Sequence, residues 1–327
     1  MIEVAAKMLH PRRIPQIISL LFNRKFLVLD KRYFHLVISA SLVFLSLTLV
    51  PSYSRAQPHL NMNDFQLPPE AKGDFYYSQG KFKDALEVYK SVLQDKIDVS
   101  SLFRKMVKAW DAMGALDEAQ NFLNDYLQSH EKSSGVSYGL GFTHYLKNED
   151  QLAEELFRHA TKLDPANGLA WNNWAAVLSN QKYFQDAVEK VRNAIRSDPK
   201  ELMFFFNLKK IYDEMGEGSR FEEEFKENLN NREESWGYGK VLARFIRQES
   251  FREYAKGNIT NAITGFEKIL NIYQQTEDVK GQVPALFSLG LLHEESGNSQ
   301  KSQEFFRQVL AINPDHKQAR DKIKPLN

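Results

Sequence analysis

The chain contains no cysteine among its 327 residues. It therefore cannot form a disulfide, a zinc–thiolate centre or a cysteine nucleophile, and it offers no cysteine for the lipid attachment of a bacterial lipoprotein. A cysteine-free chain tolerates oxidising and reducing surroundings alike, so this absence does not indicate a compartment.

Nucleotide-binding and metal-binding motifs are also missing. The sequence has no P-loop and no G-x-G-x-x-G before a helix. Among residues 57–327, no two histidines stand three or four residues apart, the spacing that a helical metal pair needs. We expect the histidines His144 and His293 to pack in the fold. The sequence thus predicts a protein that is not an enzyme and that holds neither a metal nor a cofactor.

Positive charge is scarce outside the N-terminal region. Of the 43 Lys and Arg and the 42 Asp and Glu, eight bases and two acids lie in residues 1–56. Residues 57–327 therefore carry 35 bases and 40 acids, a net charge of −5. A non-specific nucleic-acid binder needs a basic face, so we expect no nucleic-acid partner.

One long apolar run is present near the N-terminus. Residues 36–50 read LVISASLVFLSLTLV, and seven Lys and Arg precede them. Ser54 and Ala56 follow at the −3 and −1 positions of a small-x-small cleavage site. A basic region, an apolar region and a small-residue site are the layout of a secretory signal peptide, which predicts cleavage after Ala56.

Two other interpretations of residues 1–56 remain open. Fifteen helical residues span about 22 Å of a hydrocarbon core about 30 Å thick, which favours a signal peptide over a signal anchor. The long basic region favours the anchor, and a buried core helix is the third alternative. With either membrane segment, the charge bias sends the rest of the chain across the membrane. We expect an exported, periplasmic or extracytoplasmic protein, tethered by residues 36–50 if these are retained, with residues 57–65 as a linker.

A short motif recurs through the rest of the chain. It reads glycine, four residues, a small residue, three residues and a large apolar residue. The four copies are Gly80–Ala85–Tyr89, Gly114–Ala119–Leu123, Gly257–Ala262–Phe266 and Gly297–Ser302–Phe306. The small position recurs at Ala153 and Ala187, each 34 residues after the previous one, and prolines 165, 199 and 314 each follow a small position by twelve residues.

This pattern resembles the tetratricopeptide repeat, whose outline is W-x2-L-G-x2-Y, then A-x3-F, then P. Residues 168–201 carry Trp171, Trp174, Ala175, Leu178, Ala187, Val191, Ala194 and Pro199 at matching positions. The resemblance implies an all-α fold, a right-handed superhelical solenoid of antiparallel helix pairs. It divides the chain into units 66–99, 100–133, 134–167, 168–201, 202–235, 243–276 and 283–316, with a capping helix over residues 317–327.

Two units depart from the pattern. In the fifth unit Phe221 occupies the small position, and residues 216–219 interrupt the turn, so we expect a distorted helix pair. The sixth unit has a long first helix, predicted over about residues 239–255. The acidic run 222–224 is interpreted as a solvated face.

The resemblance also implies a binding surface. In tetratricopeptide arrays, positions 2, 5, 6, 9 and 12 of each first helix line the concave groove. These positions predict a partner-binding face of Arg104, Lys105, Lys108, Tyr138, Phe142, Tyr145, Asn172, Asn173, Ser179, Phe206, Asn207 and Lys210. The asparagines would bind peptide backbone, the aromatics apolar side chains and the bases a carboxylate.

The expected function is a non-catalytic interaction scaffold that binds peptides or segments of partner proteins in this groove. The lysine–asparagine clamp for chaperone C-termini is not reproduced, because Glu70 and Asp74 stand where that clamp has lysine and asparagine. Alternatives are an accessory or carrier subunit of an envelope enzyme complex, an enzyme with a site near Trp236 and Tyr238, and a self-assembling structural protein. The membrane would be contacted through the N-terminal apolar segment alone.

Overall fold

The computed structural model describes residues 67–93 and 98–323. The predicted export segment and the linker 57–65 lie outside these residues. Within the described ranges no strand occurs, and no helix is both long and apolar enough to cross a membrane.

Fifteen helices follow one another in the described residues and form seven consecutive pairs and a cap. Their bounds are α1 Pro69–Ser78, α2 Phe82–Leu93, α3 Ser100–Ala112, α4 Leu116–Ser129, α5 Ser134–Leu146, α6 Asp150–Leu163, α7 Gly168–Asn180, α8 Phe184–Ser197, α9 Leu202–Met215, α10 Arg220–Glu227, α11 Arg232–Ala255, α12 Ile259–Gln275, α13 Val279–Glu295, α14 Ser299–Ile312 and α15 Lys317–Lys322. The predicted all-α helical repeat is confirmed.

The tight turns inside the pairs depend on left-handed backbone. Gly80 and Gly114 adopt φ values of 73° and 70° at the turns that follow α1 and α3. Glycine takes this conformation without the steric cost that a Cβ imposes, so each turn can reverse the chain within a few residues. Asn148 and Lys182 take the same conformation, with φ of 61° and 68°, in the third and fourth pairs.

Small residues let the two helices of a pair approach closely. Ala85, Ala119, Ala153, Ala187 and Ala262 are all fully buried in the second helices. On a first helix, a Cβ added at Gly290 would lie 2.5 Å from the ring of Phe306, so glycine there makes room for the large residue of the motif. These positions set the phase of the repeat because they decide where the helices touch.

The fifth pair is irregular, as the motif predicts. Phe221 is fully buried at the small position, and α10 has eight residues where α8 has 14. The ring of Phe221 packs against Tyr238 of α11, with centroids 5.0 Å apart. A large residue at this position is accommodated because α10 is short and packs mainly on the next first helix.

Helix α11 begins at Arg232, seven residues before the predicted start, and runs for 24 residues. The residues 236–242 that separate the fifth and sixth units are therefore helical. Gly237 faces the ring of Phe205 so closely that a Cβ would collide with it. The extra turns thus dock on the fifth pair through a glycine.

The acidic run 222–224 is solvated only in part, although we expected all of it to be a solvated face. Glu222 and Glu223 are exposed, but Glu224 is 5% exposed. Its carboxylate accepts hydrogen bonds from Tyr212, Tyr238 and Arg192. A buried carboxylate is tolerated where donors surround it, so Glu224 fastens the irregular pair to its neighbours.

Candidate partner-binding face

The first helices of the second to sixth pairs form one continuous row. Helices α3, α5, α7, α9 and α11 each pack on the next in the row, and α3 also touches α7, two pairs further along. Helices two units apart can meet only on the inner side of a curved array. This row is therefore the concave side of the solenoid.

A side-chain hydrogen bond within this row joins two helices that are three pairs apart. The guanidinium of Arg104 on α3 donates to the sulfur of Met203 on α9, at 2.9 Å. The concave side is consequently narrow here, and Arg104 lies against its floor.

The predicted asparagines form a ladder beneath the surface. Asn207 donates to Asn172 at 2.7 Å, Asn172 donates to Asn173 at 3.2 Å, and Asn173 donates to the hydroxyl of Tyr138 at 3.4 Å. Tyr138 is fully buried, and Asn172 and Asn173 are 2% and 8% exposed. The asparagines were expected to bind peptide backbone directly. Their polar groups instead bond to one another and to Tyr138, and they join α5, α7 and α9.

The aromatic residues of α5 form a column. Tyr138 stacks on Phe142 with centroids 6.0 Å apart, and Phe142 stacks on Tyr145 at 6.4 Å. Phe142 is 7% exposed, whereas Tyr145 is half-buried. Tyr145 is thus the member of the column whose ring can meet a ligand.

Two of the predicted bases are used within the fold. The ammonium of Lys105 lies 2.8 Å from Glu70 and 2.8 Å from Asp74, both on α1. Burial works to lower the pKa of Lys105, but the hydrogen bonds to Asp74 and Glu70 outweigh it and raise the pKa. Lys210 is exposed and pairs with Glu214 at 3.5 Å, and Ser179 also donates to Glu214.

The bases Arg104 and Lys108 on α3 and Arg244 on α11 have no carboxylate partner among the described residues. Desolvation lowers the pKa of Lys108, and the nearby charge of Arg104 lowers it further. The guanidinium of Arg244 on α11 lies 4.9 Å from the ring centroid of Phe206.

Two of these bases, Arg104 and Arg244, contact α9, and Lys108 lies one turn after Arg104 on α3. Arg104 touches Met203 and Arg244 touches Phe206, and residues three apart on a helix are neighbours on one face. Like charges that share a site repel unless a ligand or solvent screens them, so this cluster favours an anion. We call Arg104, Lys108, Tyr145, Phe206 and Arg244 the basic–aromatic face.

Arg244 was missed in the sequence because groove positions were assigned to the second to fifth units alone. Position 2 of the unit 243–276 is residue 244, so the same rule would have found it. Met203 is position 2 of the unit 202–235, so the rule covers it as well, but its contact with Arg104 depends on the curvature of the array. The neighbouring Phe245, 6.3 Å from Phe206 between centroids, was missed as well.

At the alternative site, Trp236 and Tyr238 make packing contacts and a hydrogen bond within the fold. Tyr238 is 2% exposed and donates to Glu224 at 2.6 Å. Trp236 is half-buried with the ammonium of Lys240 5.5 Å from its ring centroid. Among the described residues, no group of three or more acidic or histidine side chains is arranged to hold a metal ion.

Comparison with known proteins identifies the repeat. Residues 283–316 match the family model described as tetratricopeptide repeat. The chain is 27% identical over 128 residues to Protein O-mannosyl-transferase TMTC2 of Homo sapiens, covering 38% of this chain and 15% of that protein. It is 22% identical over 258 residues to the Protein CTR9 homolog of Arabidopsis thaliana, covering 74% of this chain and 22% of that protein. The chain thus spans less than a quarter of the length of these relatives.

Solved structures to which the chain is similar include the following three. MamA is 21% identical with a TM-score of 0.34, covering 45% of this chain and 86% of that one. A chain of the APC/C hetero-tetramer Cut9-Hcn1 is 14% identical with a TM-score of 0.42, covering 82% of this chain and 57% of that one. YrrB, described as having an unusual peptide-binding site, is 17% identical with a TM-score of 0.30, covering 61% and 96%. Because these TM-scores are low, we take no functional residue from these proteins.

Proposed function

We propose, since the chain is a tetratricopeptide repeat protein, that it is a non-catalytic scaffold that binds a segment of a partner protein on its concave side. Such arrays share one scaffold and differ in the side chains of the inner helices, so the partner must be argued from those side chains.

The observation that carries the proposal is the set of three unpaired bases on the inner row, two of which contact α9. Most other bases near the inner row are neutralised: Lys105 by Glu70 and Asp74, and Lys209 by Asp213 at 2.6 Å. Arg104, Lys108 and Arg244 have no such partner among the described residues. A guanidinium binds a carboxylate through two parallel hydrogen bonds, which gives direction as well as attraction.

The ligand that fits is a peptide segment that carries a carboxylate beside an apolar or aromatic side chain. The carboxylate would lie against Arg104, Lys108 and Arg244, and the apolar side chain would lie against Tyr145 and Phe206. Beneath them, the asparagine ladder and the tie from Arg104 to Met203 hold the inner helices in place. A preorganised surface loses less conformational freedom on binding, which supports affinity.

Charge reversal tests this proposal. We expect the double variant Arg104→Glu/Lys108→Glu to lose partner binding by about tenfold or more, the effect of about 1.4 kcal/mol. The measurement is affinity capture of crosslinked partners from an envelope extract by the full chain, with the recovered partner then titrated against each variant.

The matched control is Lys83→Glu/Lys317→Glu, which reverses two exposed charges on α2 and α15. This control should bind the partner as the unaltered chain does. Equal binding by both double variants would refute the concave site, and recovery of no partner, with and without crosslinker, would refute the scaffold.

The transferase activity in the name of TMTC2 belongs to that protein, of which this chain covers 15%. We propose that this chain serves interaction and not catalysis. The buried contacts of Tyr238 with Glu224 and the aromatic neighbours support this, because they assign that tyrosine to packing.

We also propose that the scaffold works on the outer side of a membrane. The support is the basic region, the apolar run 36–50 and the small residues Ser54 and Ala56. N-terminal sequencing of the exported protein is expected to begin at Gln57. An intact Met1 on the exported protein would exclude cleavage, and protection of the repeat array from external protease in spheroplasts would exclude export.

A further inference from the structure

A second groove lies on the other side of the array, between α10, α11 and α12. It encloses about 480 Å³, and its floor is apolar, formed by Phe225, Leu242, Ile246 and Ile272. Arg244 is two residues from both Leu242 and Ile246 on α11, about 200° around the helix, so the groove faces away from the basic–aromatic face.

The groove exists because α10 is short. Helix α10 ends after eight residues, whereas α11 and α12 beside it run for 24 and 17 residues. In a regular pair the second helix would cover more of its neighbours. Here the short α10 leaves part of α11 and one side of α12 uncovered.

One wall of the groove is a line of polar side chains on α12. Asn261, Thr264, Lys268, Asn271 and Gln275 follow at spacings of three and four residues, and all are exposed. Such spacing places them on one side of the helix, over about 21 Å from end to end.

Part of this wall has unused hydrogen-bonding capacity. The amide of Asn261 donates to Glu253 at 3.1 Å, and the hydroxyl of Thr264 donates to the carbonyl of Thr260. The side chains of Asn271 and Gln275 make no hydrogen bond within the part of the chain that the structure describes. A carboxamide both donates and accepts, which matches the N–H and C=O groups of an extended backbone.

The charges around the groove are paired with one exception. Glu222 lies 3.0 Å from Lys226, Glu249 lies 3.0 Å from Arg252, and Glu253 lies 2.6 Å from Lys256. Lys268, in the middle of the polar wall, has no ion pair among the described residues. The groove therefore presents one uncompensated positive charge beside an apolar floor.

We propose that this groove binds an extended segment of another protein, with alternate apolar side chains on the floor and an acidic side chain at Lys268. Asn271 and Gln275 bond its backbone. A helix would leave these amides unused because its backbone groups bond to one another. A length of about 21 Å corresponds to about six extended residues at 3.3–3.4 Å each. This site is separate from the concave side and adds to the proposed function.

The test uses an array of blocked eight-residue peptides that alternate apolar and polar residues and carry aspartate, serine or lysine at the centre. Binding to the full chain is measured by fluorescence anisotropy. We expect peptides with a central aspartate to bind best, and Lys268→Glu to transfer the preference to the peptides with a central lysine. Asn271→Leu and Gln275→Leu should each weaken binding about fivefold, the effect of about one lost hydrogen bond.

Two controls separate this site from the concave side. The variant Arg104→Glu/Lys108→Glu should bind the aspartate peptides as the unaltered chain does, even if it has lost the partner of the concave face. Peptides N-methylated at alternate residues should bind poorly, since they cannot donate to the amides. The proposal is overturned if central charge makes no difference, if N-methylated peptides bind equally well, or if the concave variant abolishes binding.

Discussion

Replacing Glu224 by alanine is expected to lower the free energy of unfolding by about 2–6 kcal/mol, because two buried hydroxyls would lose their acceptor at about 1–3 kcal/mol each. Those hydroxyls belong to Tyr212, which is fully buried, and Tyr238, which is 2% exposed. Arg192 loses its carboxylate in the same change. Burial raises the pKa of Tyr238, and the charge of Glu224 raises it further, so the hydroxyl remains a donor.

The measurement is urea unfolding of the full chain followed by circular dichroism, with hydrogen exchange to locate the loss. The matched control is Glu222→Ala, since Glu222 is on the same helix but exposed and paired with Lys226. The control should change stability by about 0.5 kcal/mol or less. Faster exchange should be confined to α9, α10 and the start of α11. Equal effects of the two substitutions would show that the Glu224 network does not stabilise the fold.

Sequence reasoning predicted the repeat because its features are local. The glycine turn and the small position lie close together within each unit. Each meets a steric requirement of the helix pair, and the next unit has the same requirement. The burial of Glu224 had no local indication, since it ends an acidic run and its partners lie 12, 14 and 32 residues away. A long-range polar network is fixed by how the pairs stack, which spacing within one helix does not specify.

The candidate face was predictable in outline and not in detail. The position rule selected Arg104, Lys108, Tyr145 and Phe206, whose side chains are exposed or half-buried. The same rule selected Tyr138 and Asn172, which are covered because the inner helices pack so closely that their side chains contact one another. A rule from helix position gives the direction of a side chain, but its exposure depends on the neighbouring helix.

A second large effect is expected at Phe221, where the family pattern and the structure point in opposite directions. Alanine is the residue at the corresponding position of five other units, so Phe221→Ala brings the fifth unit closer to the pattern. Phe221 is nevertheless fully buried and packs on Tyr238, whose ring also contacts Phe205. Removing the ring should leave a cavity and lower the free energy of unfolding by about 3–5 kcal/mol.

The control is Tyr183→Ala, an aromatic of the fourth unit that is 59% exposed, and it should be nearly neutral. Because Phe221 and Glu224 both contact Tyr238, the double variant Phe221→Ala/Glu224→Ala should lose less stability than the two single changes added together. If Phe221→Ala stabilised the chain, α10 would have to move toward α9 and close the space left by the ring. The width of the groove between α10 and α12 would then depend on the size of this one residue.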